Sequence, residues 1–66
     1  MVDWNQVHGN WQRLKDKVRQ QWGRLTEEDL AHIGGNRDHL VRRIRECYGY
    51  EQPRAEREVD LFIRML

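Results

Sequence analysis

Trp4, Val7, Trp11, Leu14, Val18 and Trp22 recur at intervals of three and four residues, and nearly every position between them is polar. That spacing is one stripe of a 3.6-residue helix, and it predicts a long first helix running from Trp4 to Trp22. Asp3 stands at its N-cap with Gln6 at N3, a variant of the capping box, and Val2 and Val7 occupy the positions of a hydrophobic staple. Gly23 closes it as a residue able to turn left-handed. A narrow stripe gains most burial per position from tryptophan. Each indole can bury about 200 Å², roughly 5 kcal/mol of gross transfer energy before entropy is subtracted.

Three shorter helices follow. Thr26 caps one whose first turn, Glu27-Glu28-Asp29, places carboxylates on the positive end of the helix dipole, with Leu25 stapled to Leu30. Leu30 and Ile33 are its apolar side, and Gly34-Gly35 end it. The third helix runs from near Asn36 to Tyr48 with Leu40, Val41, Ile44, Cys47 and Tyr48 inward. Gly49 closes it, and Tyr50 packs back on Ile44. The fourth starts at Gln52-Pro53 and sets Ala55, Val59, Phe62, Ile63 and Leu66 on one side. Helices joined by loops this short fold back on one another. The sequence therefore predicts an all-α, four-helix domain spanning residues 1–66. Its interior is built on Trp11, Leu14, Val18, Trp22, Leu30, Ile33, Leu40, Ile44, Val59 and Phe62.

Composition narrows the function. Mean hydropathy is −1.04, but three Trp, two Tyr and a net charge of only +1 favour collapse over disorder. The one cysteine, Cys47, forms no intrachain disulfide. No signal-peptide pattern opens the chain and no apolar run approaches a membrane span, so a cytoplasmic setting is expected. Serine is absent and Thr26 is the only threonine, which leaves little for hydroxyl nucleophile chemistry.

Several segments resemble, in collinear order from Trp4 to Phe62, the CsbD-like family of bacterial general stress response proteins. They are Gly9-Asn10-Trp11, the run from Gln21 to Leu30, the run from Ile33 to Leu40, Tyr48-Gly49-Tyr50, and Ala55 to Asp60. The resemblance implies two helical hairpins packed crosswise, similar to SAM-domain-like folds, in a small protein made under general stress. It carries over no catalytic or binding residue. The chain departs from the family pattern at the start of the last helix, where Glu51 or Gln52 replaces a good cap, and at the double glycine, which is looser than the single glycine expected there.

The remaining motifs have plain readings. Cys47 with His32 and His39 matches no zinc spacing, and Cys47 on an apolar helix side behaves as a small hydrophobe, so neither metal nor cofactor is expected. Glu27, Glu28 and Asp29 splay about 100° apart on a helix and do not converge on a reacting atom. No catalytic group is assigned, and the chain is not expected to be an enzyme. On helix one, Arg13, Lys17 and Arg24 share a face. Arg54 with Glu58, Asp38 with Arg42, and Asp60 with Arg64 are expected as i,i+4 ion pairs on a solvated surface. The rival to a non-catalytic binding or protective role is nucleic-acid binding. Gly34 and Gly35 faintly resemble the turn of a helix-hairpin-helix, and Arg37, Arg42, Arg43 and Arg45 would track phosphates. A further alternative is association with a protein partner or with itself through Trp4, Phe62 or Met65.

Overall fold

Asp3 opens the first helix as its sequence dictates. Its carboxylate accepts the Gln6 N–H at 2.9 Å, and the Gln6 side chain accepts the Asp3 N–H at 3.2 Å. The computed structural model describes residues 3–66, so the staple expected from Val2 lies outside the described residues. Among them run five helices: α1 (Trp4–Gly9), α2 (Trp11–Gln21), α3 (Glu27–Ile33), α4 (Arg37–Tyr48) and α5 (Gln52–Arg64).

The expected single first helix is thus two, and the count of four becomes five. Asn10 leaves helical geometry at φ −113°, ψ 20°, and its side-chain Nδ2 donates to the Gln6 carbonyl at 3.0 Å. Gly9 resists such a break least, and the Asn10 side-chain amide adds a second bond to the Gln6 carbonyl, which also accepts the Asn10 backbone N–H at 3.0 Å. The apolar spacing survives the interruption, because Val7 and Trp11 both remain buried. Gly23 does not turn left-handed either. Trp22 ends α2 at φ −126°, ψ 83°, and the Leu25 N–H bonds back to the Trp22 carbonyl at 3.1 Å. The other caps follow the sequence. Thr26 and Asp29 form a reciprocal capping box, and Asn36 caps α4. Gly34 and Gly49 take left-handed conformations at φ 55° and 71°.

Helix α4 packs on both α3 and α5, and α1 packs on α2. The buried apolar set is Val7, Trp11, Val18, Trp22, Leu25, Leu30, Ile33, Leu40, Val41, Ile44, Ala55, Val59 and Ile63. Leu14 and Phe62, expected inside, are only half-buried against this core, as is Trp4. Phe62 meets the Trp22 ring at 5.0 Å between centroids, tilted by 55°, and so closes the end of α2 onto α5. Trp11 carries the one buried tertiary hydrogen bond among the described residues, from its indole Nε1–H to the Leu30 carbonyl at 2.9 Å.

The double glycine is not slack. At Gly35 the φ is 84°, and a Cβ there would lie 2.7 Å from the His8 Cα and 3.2 Å from its nitrogen. The backbone of α1 rests directly on the α3–α4 turn, and only a residue without a side chain permits that approach.

Charged side chains tie helices together. None of the three expected i,i+4 pairs forms among the described residues. Arg37 instead reaches Asp60 on α5 through two bonds of 3.1 and 3.2 Å. This fork geometry outcompetes a flexible pair along one helix, and its hydrogen bonds raise the Arg37 pKa. Arg43 reaches Asp29 on α3 at 2.8 Å and Glu46 at 3.0 Å. Arg54 rests on the Tyr50 ring at 4.0 Å, Tyr50 stacks on Tyr48 at 5.5 Å, and Arg24 covers the Tyr48 ring at 5.4 Å. This ladder holds the start of α5, whose Glu51 cap makes no side-chain bond, together with a relay from Arg45 through Gln52 to Glu56.

Three outcomes test this architecture by thermal or denaturant unfolding. Trp22→Ala is expected to cost about 3–5 kcal/mol, whereas Trp11→Phe, which keeps a ring but loses the indole donor, is expected to cost about 1–2 kcal/mol. Gly34→Ala meets only the left-handed penalty of roughly 1–2 kcal/mol, while Gly35→Ala must also displace α1, so it is the more damaging of the two. The Thr26 backbone N–H holds the Asp29 carboxyl below the ordinary carboxylate range against the opposing effect of burial, and the Thr26 hydroxyl and Arg43 lower it further. A carboxyl with a lowered folded pKa contributes stability above its unfolded pKa and loses that contribution as pH falls through the folded value. Asp29→Asn is therefore expected to cost about 1 kcal/mol or somewhat more near neutrality, with the deficit shrinking below about pH 4.

Candidate functional site

The α3–α4 hairpin builds a small cleft. α3 ends with His32 and Ile33, Gly34-Gly35 reverse the chain, and the first two turns of α4 return His39, Arg42 and Arg43 alongside. These five residues line a volume of about 170 Å³. His39 is fixed by its Nδ1, which lies 3.3 Å from the His32 carbonyl. With its proton on Nδ1 it donates to that oxygen, and Nε2 is left as the ring's remaining polar atom.

The two arginines of the cleft differ. Arg43 is half-buried and carries Asp29 and Glu46 on its terminal nitrogens, with the Cys47 Sγ at 3.7 Å. Burial opposes its charge, and attraction first to Asp29 more than offsets this and raises its pKa. Its Nε is buried without an acceptor among the described residues. Arg42 is exposed and has no carboxylate within 4.0 Å among those residues. Its expected partner, Asp38, is 90% exposed and lies 3.9 Å from Arg37 instead.

The six residues put forward from sequence as phosphate contacts are therefore dispersed. Gly34 and Gly35 form the turn, with Gly35 covered by α1. Arg37 is directed to α5, Arg43 to α3, and Arg45 to Gln52 at the start of α5. Arg42 alone among the four arginines keeps its guanidinium uncommitted. Sequence reasoning considered His32 and His39 only with Cys47 as metal ligands and did not join them to Arg42. The signal was present: His39 stands one turn before Arg42 and Arg43 on one helix, and a two-residue glycine turn folds His32 back toward it. Cys47 lies apart from the cleft lining, half-buried against the core. The grouping of Arg13, Lys17 and Arg24 is broken too. Arg13 and Lys17 flank a groove floored by Leu14 and Leu66, while Arg24 donates to the Cys47 carbonyl.

A wider groove of about 410 Å³ lies between the α1–α2 junction and α3, lined by His8, Trp11, Gln12, Lys15, Glu27 and Ala31 among others. Its carboxylate, Glu27, is bound by Arg19 at 2.7 Å and approached by Lys15 at 4.0 Å. Among the described residues the large apolar side chains most open to solvent are Leu61 and Met65, 48% and 86% exposed. No helix among the described residues is long and apolar enough to cross a membrane.

Comparison with known proteins places these features in a family. No family model and no solved structure matches the chain. Curated relatives do. The UPF0337 protein YjbJ of Escherichia coli O6:H1 is 50% identical over 56 residues, 85% of this chain and 81% of that protein. A UPF0337 protein of Pectobacterium atrosepticum is 54% identical over 55 residues, 83% and 80% of the two chains. One of Agrobacterium fabrum is 49% identical over 59 residues, 89% and 88%. With about half of the aligned residues identical across at least four fifths of both lengths, the chain belongs to the UPF0337 protein family.

Proposed function

We propose that this is a small, non-catalytic protein of the bacterial general stress response, of the CsbD-like kind, acting in the cytoplasm by binding or protection. The observation that carries the reading is the collinear set of segments from Gly9-Asn10-Trp11 to Ala55–Asp60, in a chain about half of whose aligned residues are identical to those of other small bacterial proteins of one family. The crosswise packing of two hairpins, similar to SAM-domain-like folds, is part of the same proposal. The use of charge supports it. Arg37, Arg43, Asp29 and Asp60 are engaged in pairs that join helices, an arrangement suited to holding a scaffold together. Binding then falls to the cleft beside Arg42 and to the surface around Leu61 and Met65.

Bacteria lacking the chain are expected to survive stationary phase, osmotic shock and heat less well than the parent, with survival restored by a plasmid copy. Equal survival under all three challenges overturns the stress role. Turnover of a substrate by the pure protein, abolished by one point substitution, overturns the non-catalytic role.

A further inference from the structure

We propose that the cleft between α3 and α4 binds a small phosphate-type oxyanion, held by Arg42 and by the imidazoles of His32 and His39. The inference rests on the reading of this chain as a binding protein and names the ligand class of one site. Two observations converge on it. Four of the five lining residues carry nitrogen donors, and no carboxylate lines the cleft among the described residues. Arg42 reaches it with no acid within 4.0 Å among those residues.

Charge around the cleft is poised. Arg43 is accompanied by Asp29 and Glu46, which together leave a deficit of one, and Arg42 cancels it. Glu28, one turn before His32 on α3, and Asp38, just before His39 on α4, are exposed and outside the lining. No side chain of α1, α2 or α5 lines the cleft. An oxyanion between Arg42 and the rings supplies acceptors to a guanidinium fork and to imidazole N–H groups at once.

Size and surroundings select a small ligand. A cleft of about 170 Å³ has room for a phosphate group. A nucleic-acid backbone would extend from Arg42 past Asp38 and Glu46 on the same helix and meet their charge, on a chain whose net charge is only +1.

The test is a nuclear magnetic resonance titration of the full chain with inorganic phosphate and, separately, pyrophosphate. Saturable changes are expected at His32, His39 and Arg42. Arg42→Gln is expected to weaken binding roughly tenfold or more, as loss of a charge-assisted bond does. His39→Gln is expected to weaken binding severalfold, and Arg64→Gln, on exposed α5, to leave binding unchanged. Both cleft substitutions lie at exposed positions, so the fold is expected to persist, and the dispersion of the spectrum reports it. Changes spread over Arg13, Arg57 and Arg64, or no saturation by about 10 mM, overturn the proposal. So does tighter competition at the same residues by a short DNA duplex, which would assign the cleft to a nucleic-acid backbone. Phosphorus spectra of the same samples separate the two readings. Hydrolysis of pyrophosphate would end the non-catalytic function while leaving the oxyanion site standing, and failure to bind would do the reverse.

Discussion

The indole of Trp11 holds the two halves of this molecule in register. Its ring fills space between α2 and α3, and its Nε1–H finds the Leu30 carbonyl at 2.9 Å. That carbonyl already accepts the Gly34 N–H that caps α3. One oxygen thus terminates a helix and receives the chain from nineteen residues earlier. A hydrophobic contact between helices tolerates sliding and rotation, whereas a directional bond inside a core does not. With thirteen buried apolar residues among the described ones, few other contacts can impose such a constraint.

Charge extends the same logic to the surface. Along a helix, an i,i+4 pair brings together groups that the backbone has already placed side by side, and it fixes nothing in the tertiary structure. Arg37 with Asp60 links α4 to α5, and Arg43 with Asp29 links α4 to α3, so the central helix is clamped on both sides by guanidinium. Arginine suits the task because its fork meets a carboxylate in fixed geometry. Arg24 and Arg54 do related work without an acid by closing the two ends of the Tyr48–Tyr50 stack. The abundance of arginine, which from the sequence alone resembles a phosphate-binding surface, is in good part spent on assembly.

Helices and most caps were legible in the sequence because their causes are local. Thr26 before Glu27 and Gly49 after Tyr48 each act within one turn, and each is found in its expected role. The break at Asn10 was not legible, because Val7 and Trp11 keep helical spacing across it and the pattern records only which side faces inward. Gly35 was misread as slack for a different reason: the His8 backbone that presses on it is twenty-seven positions away in sequence. The ion pairs failed in the same direction. Asp60 has Arg64 one turn away and Arg37 across an interface, and nothing in the sequence says that the distant partner wins. The cleft was partly legible. Arg42 and Arg43 were singled out, but His32 and His39 were read against Cys47, because their convergence with Arg42 depends on how sharply two glycines turn the chain.

That turn also governs how much variation the architecture admits. With His8 seated against Gly35, the course of the first helix is dictated by a missing methyl group at the far end of a hairpin. A chain of this family carrying any side chain there has to lift its opening segment from the turn, and the groove beside Trp11 and Lys15 changes shape with it. Shape on one side of the molecule is thus inherited from vacancy on the other.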